Sequence, residues 1–103
     1  MAISDVQKDG SYLKVYDDGG KKISELYASS SMELMGIASD FYVVKDGSYF
    51  KTYGPDSKKI AELYASSSMN FKNAAGSSFN IQDGSYVKSY DKNCKKTGER
   101  YGK

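Results

Sequence analysis

Lys8-Asp9-Gly10-Ser11-Tyr12 returns as Lys45-Asp46-Gly47-Ser48-Tyr49 and again as Gln82-Asp83-Gly84-Ser85-Tyr86, offset by 37 residues each time. Residues 8–44 and 45–81 agree at 19 of 37 positions, and residues 45–66 and 82–103 agree at 10 of 22. An internal period of this length constrains the chain more than its composition does. Each unit is one supersecondary element that buries little alone, so the core must form between neighbouring units. We read residues 1–103 as a single repeat domain with units 1–31, 32–68 and 69–103.

The local grammar of a unit is β. Asp-Gly at 9–10, 46–47 and 83–84 lies between alternating apolar runs, a signal for a two-residue type I′ hairpin. Centring that turn on Asp46-Gly47 sets Val44 opposite Tyr49, Val43 opposite Phe50 and Tyr42 opposite Lys51. A longer turn follows at Asp17–Gly20, Gly54–Ser57 and Asp91–Cys94. Setting Lys51 against Glu62 across that turn brings Tyr49 to Tyr64 and Tyr53 to Ile60 on one face. The same register gives Lys14–Glu25 with Tyr12–Tyr27, and Lys88–Glu99 with Tyr86–Tyr101. Each unit thus repeats a cross-strand ion pair beside an aromatic pair. The aromatic pair contributes roughly 0.2–1 kcal/mol.

Met32–Ala38 and Met69–Ala75 read as one further strand in the second and third units, with Met32, Leu34 and Gly36 on one side. The first unit begins at its second strand, so eleven strands in a three, four, four pattern are expected, with no helix. In the third unit Thr97 replaces Ile and Arg100 replaces Leu, the polar drift of a terminal repeat meeting water.

Composition agrees. Ten tyrosines suit half-buried pleated surfaces, and 15 basic against 13 acidic residues, interspersed, give a net charge of +2. That balance does not single out nucleic acid as a partner. No apolar run is long enough for a signal peptide or a membrane span, so the expectation is a cytoplasmic chain without a membrane partner.

Phe41-Tyr42-Val43-Val44-Lys45-Asp46-Gly47-Ser48-Tyr49 through Leu63-Tyr64-Ala65-Ser66 resembles a repeat of the bulb-type, monocot mannose-binding lectins. In those proteins an apolar strand, an Asp-containing turn and a strand ending in Tyr-Asp precede Leu-Trp-Ala-Ser. The resemblance implies a three-sided β-prism with Tyr27, Tyr64 and Tyr101 near the axis where that family places tryptophans. It does not carry the family's sugar motif: Tyr53 matches its last position, but Lys51 stands for Val and Tyr49 for Asn. The hairpin from Tyr16 to Ile23 is also similar to the outer hairpin of propeller blades. The fold class is therefore all-β, three tandem antiparallel meanders of about 37 residues, prism-like, or alternatively three propeller-type blades closing as a dimer. A β-trefoil is disfavoured by the short unit.

The chain has no histidine, which removes Ser–His–Asp and Cys–His catalysis. No His/Cys cluster suits zinc, and Asp17-Asp18-Gly19-Gly20 lacks the spaced ligands of a calcium loop. No enzyme activity, metal or cofactor is expected. Cys94, the only cysteine, reads as an exposed turn thiol whose lysine neighbours lower its pKa. The candidate ligand-binding residues are Asp9, Ser11, Tyr12, Asp46, Ser48, Tyr49, Asp83, Ser85 and Tyr86, because polar turns beside a Tyr ring can hydrogen-bond to and stack on a sugar. The serine runs Ser29–Ser31 and Ser66–Ser68 read as connectors. The functional expectation is a non-catalytic, lectin-like module with weak repeated sites, binding carbohydrate or its own kind. The alternative is a structural, self-assembling interaction protein without a small ligand.

Overall fold

The computed structural model describes residues 3–28 and 32–102; the Ser29–Ser31 connector lies outside them. The described residues form eleven strands and no helix, the number and the three, four, four grouping that the repeat implies. Sheet 1 contains β1 (Asp5–Asp9), β2 (Tyr12–Tyr16) and β3 (Lys22–Tyr27). Sheet 2 runs β4 (Met32–Ile37), β5 (Tyr42–Asp46), β6 (Tyr49–Tyr53) and β7 (Lys59–Tyr64). Sheet 3 runs β8 (Met69–Ala75), β9 (Ser78–Asp83), β10 (Tyr86–Asp91) and β11 (Lys96–Tyr101). Every pairing is antiparallel between consecutive strands, so each unit is a meander.

The first hairpin differs from the sequence reading in its turn. Asp46 faces Tyr49, leaving Gly47-Ser48 as the two-residue loop, and Val44 faces Lys51 rather than Tyr49. Gly47 has φ of +63° while Ser48 is not in the positive-φ region, which is the type II′ turn with glycine first. Phe50 therefore faces Lys45, and Tyr53 faces Tyr42. A slip of two residues preserves every side chain's face, so the apolar pattern could not reveal it.

The second hairpin keeps the expected Lys14–Glu25, Lys51–Glu62 and Lys88–Glu99 register, with the three tyrosine pairs beside it. It departs at one repeated place. A bulge sets Tyr53 opposite Lys59 and skips Ile60, and the same bulge skips Ile23 and Thr97 in the other units. A further bulge at Met35 turns Gly36 to the face opposite Met32 and Leu34, correcting the expectation that all three share a side. Lys72 is skipped likewise in β8.

The core divides in two. One cluster gathers Val6, Leu13 and Val15 of sheet 1 with Tyr42, Val44 and Tyr53 of sheet 2. The other gathers Val43 and Phe50 from the opposite face of sheet 2 with Phe79, Ile81 and Tyr90 of sheet 3. Sheet 2 is thus buried on both faces. The three sheets are an open stack, each presenting its Leu/Phe face to the Tyr face of the next, and they do not close into a ring.

Polar contacts repeat between units. Ser24 Oγ donates to Pro55 O at 2.6 Å, and Thr52 Oγ1 donates to Lys92 O, the carbonyl 37 residues further on, also at 2.6 Å. The entry loops are joined through Ile3 N to Ser39 O at 2.7 Å and Ser39 N to Gly76 O at 3.0 Å. No helix among the described residues is long and apolar enough to cross a membrane.

Candidate functional site

At the Gly-Ser turn end of each sheet the same five residues come together: Asp9, Ser11, Tyr12, Lys14 and Tyr27 in unit 1. Asp46, Ser48, Tyr49, Lys51 and Tyr64 repeat the group, as do Asp83, Ser85, Tyr86, Lys88 and Tyr101. All nine residues expected from the sequence lie here. The lysines and the second tyrosine of each pair complete the group. Their signal was the 37-residue register already used for the strands.

The tyrosine rings meet edge to face, with centroids 5.8, 5.7 and 5.6 Å apart and interplanar angles of 78°, 77° and 81°. Tyr27, Tyr64 and Tyr101 remain 61%, 59% and 75% exposed, and Tyr12, Tyr49 and Tyr86 remain 41%, 39% and 44% exposed. This corrects the axial role implied by the lectin resemblance, in which the three rings would be packed inside. The near equality between units is informative. Sheet 1 has no sheet in front of its Tyr face, whereas sheets 2 and 3 do. The neighbouring sheet therefore does not cover the tyrosine ends, and all three pairs stand clear of the stack.

The charges beside each pair are connected differently from the simple cross-strand pair. Lys14 Nζ reaches Asp9 Oδ2 at 2.7 Å and leaves Glu25 to Lys22 at 2.8 Å. Lys51–Asp46 at 3.0 Å with Lys59–Glu62 at 2.9 Å, and Lys88–Asp83 at 2.9 Å with Lys96–Glu99, repeat the arrangement. The lysine chooses the diagonal carboxylate of the first hairpin because the bulge brings a second lysine beside the glutamate. The hydrogen bond from Lys14 holds Asp9 below the usual carboxylate range, and Ser68 followed by Lys88 does the same for Asp83. Hydrogen bonding to the aspartate raises Lys14, Lys51 and Lys88. Each unit carries two lysines and two acids here, so every site is electrically balanced.

Ser68, in the run read as a connector, donates to Asp83 Oδ1 at 2.7 Å and so supports the third site. Cys94 is the correction among the single residues. It occupies a turn position with φ of +60°, packs against the second core cluster, and burial pushes its thiol up to about 11 despite the neighbouring lysines.

A cleft of about 420 Å³ on the outer face of sheet 1 is lined by Ser4, Asp5, Gln7, Tyr16, Asp17, Asp18 and Gly20, and none of the tyrosine pairs reaches it. Its carboxylates serve the backbone: Asp17 Oδ1 accepts from Gly19 and Lys21, and Asp5 Oδ1 accepts from Val6. Among the described residues no three His, Cys, Asp or Glu side chains gather to hold a metal. No protein-family model and no curated protein matches the chain. The fold defines the class: an all-β tandem-repeat protein of three stacked antiparallel meanders.

Proposed function

We propose that the chain is a non-catalytic binding module whose three tyrosine ends each take a segment of a neutral, polyhydroxylated ligand, a carbohydrate. The observation that carries this reading is the triplicate of exposed, edge-to-face tyrosine pairs at one register position. Sugars bind through their C–H faces on aromatic rings and through hydroxyls on paired donors and acceptors. Each end offers both, with a paired carboxylate and ammonium at the same end of the sheet and the turn serine next to the first tyrosine in sequence. Balanced charge gives an anionic or cationic polymer no net attraction, which favours a neutral ligand. Each site is shallow and weak alone, and three on one rigid stack gain by multivalency.

A panel of immobilised neutral and charged polysaccharides tests the reading. Binding to neutral glycans that persists at high salt and is weakened in a Tyr49→Ala/Tyr64→Ala variant of unchanged fold, which keeps two of the three pairs, is the expected result. Absence of binding to every glycan would favour the second reading, a structural or self-assembling interaction protein. The three-stranded form of sheet 1 is the feature that supports that alternative.

A further inference from the structure

Among the described residues, sheets 2 and 3 each begin with a strand that sheet 1 does not have. β4 lies along β5 with Glu33 opposite Lys45 and Gly36 opposite Val43. β8 lies along β9 with Asn70 opposite Gln82 and Asn73 opposite Asn80. The corresponding residues of β1 are Lys8 and Val6, and among the described residues no strand pairs with that side of β1. Asp9 and Tyr12 close the turn as a bonded pair, so alternation directs the backbone groups of Val6 and Lys8 outward. Val6 N–H donates to Asp5 Oδ1 at 2.9 Å, as an outward amide with no strand partner would.

The surface beneath this edge is also shaped. β4 rests on β8 so closely that a Cβ at Gly36 would lie 2.7 Å from Phe71 Cζ and 3.1 Å from Ala74 Cβ. The residues 37 positions before Phe71 and Ala74 are Leu34 and Ile37, which lie partly buried against the first core cluster as Phe71 and Ala74 do against the second. A strand seated on β1 would cover them as β4 covers Phe71 and Ala74.

We propose that the open edge of β1 is a binding site for an extended peptide, which adds to sheet 1 as its fourth strand. β4 shows what such a strand looks like. It has alternating apolar residues, an acidic residue opposite Lys8 as Glu33 stands opposite Lys45, and a glycine where the chain crosses Leu34. Main-chain bonds to Val6 and Lys8 supply affinity, and the small residue supplies selectivity. Asp5 guards the edge, because its carboxylate occupies the Val6 amide until a strand displaces it.

The test uses a fluorescent peptide of the β4 sequence, Met-Glu-Leu-Met-Gly-Ile-Ala-Ser, added to the full chain. Saturable binding is expected, with hydrogen-exchange protection gained at Val6 and Lys8. Asp5→Ala should tighten binding severalfold by freeing the amide. Lys8→Pro should weaken it about tenfold or more by removing one main-chain bond. Its melting temperature should stay near the parent's, since proline is tolerated where the edge amide faces outward. A peptide with Val for Gly should bind more weakly, a comparison that needs no change to the protein. Equal binding by the parent, Lys8→Pro and the Val peptide would overturn the proposal, as would no binding to either the parent or Asp5→Ala. Concentration-dependent dimers that Lys8→Pro abolishes and the peptide cannot displace would also overturn it, making the occupant β1 of a second copy.

Discussion

Gly36 lies where β4 approaches β8 closely, and replacing it with alanine makes a quantitative test of the stack. The added methyl would sit 2.7 and 2.9 Å from Phe71 Cζ and Cε1. Carbon atoms pack comfortably at about 3.5–4.0 Å, so the ring or the strand must move by about 1 Å. The ring has little freedom to do so. It stacks on Phe79 with centroids 6.2 Å apart and tilts against Phe50 at 6.1 Å. Overpacking a held site costs about 1–3 kcal/mol. Against this, removing a glycine's freedom in the unfolded chain returns about 0.4–1 kcal/mol. We expect Gly36→Ala to destabilise the chain by about 1–2 kcal/mol, a fall in Tm of roughly 5–15 °C for a domain of this size. Urea unfolding followed by tyrosine fluorescence measures it, with the midpoint lowered and the m-value unchanged. Phe71→Leu removes the clashing atoms, so the two substitutions together should be less damaging than their sum by about 1 kcal/mol. A neutral or stabilised Gly36→Ala, or strict additivity, would refute the close packing of β4 on β8.

Three further outcomes follow from the geometry. Tyr64→Ala should cost only about 0.5–1.5 kcal/mol, the worth of an exposed aromatic pair, because the ring is 59% exposed; a loss near 4 kcal/mol in denaturant titration would return it to the core. Native Cys94 should resist a thiol reagent at pH 8 and react only on unfolding, since its thiol is raised to about 11 by burial; rapid native labelling would contradict the packing. Burial raises Tyr42 to about 12 from 10.0 while its hydroxyl donates to Ser57 Oγ at 2.9 Å. Its neutral form thus stabilises the fold fully below pH 10, and that contribution is lost as pH rises from there toward 12. Alkaline melting should accelerate in that window and do so less in Tyr42→Phe, and identical curves for the two chains would count against it.

Strand number, the three meanders and the Lys–Glu register were legible because the repeat gives each assignment three independent chances to agree. The turn register was not, because Asp-Gly and Gly-Ser both fit a two-residue loop and differ by a slip that leaves every side chain on its face. The bulges at Ile23, Ile60 and Thr97 were hidden for a related reason: a skipped residue alters pairing and leaves composition untouched. The tyrosine ends were correctly placed at the turns, but their exposure was misjudged. A repeated aromatic pair looks the same in sequence whether it fills an axis or stands clear of a stack, and only the orientation of the sheets distinguishes them. Cys94 was misread because its neighbours in sequence are lysines while its neighbours in space belong to the second core cluster.

The two outermost faces of the stack differ from its internal junctions by substitutions between units. At the two internal junctions the Tyr face offers Tyr42 and Val44, then Phe79 and Ile81. In sheet 1 these two positions hold Asp5 and Gln7. On the opposite face, Val43 and Phe50 of sheet 2 become Asn80 and Val87 in sheet 3, while Thr52 becomes Ser89 and Leu63 becomes Arg100. Both outermost faces thus gain polar side chains at positions that are largely apolar inside the stack, Val87 excepted. Several of them are already paired: Gln7 Nε2 donates to Asp5 Oδ2 at 2.9 Å, Ser89 Oγ to Asn80 Oδ1 at 2.5 Å and Asn80 Nδ2 to Asn73 Oδ1 at 2.8 Å. A further sheet placed on either face would strip water from these polar groups and meet little matching apolar surface. Growth along the stacking direction is therefore disfavoured at both ends. The surfaces that remain suited to partners run along the sides of the stack: the three tyrosine ends, and the open edge of β1, where the missing strand would restore a pairing that the other two units already make.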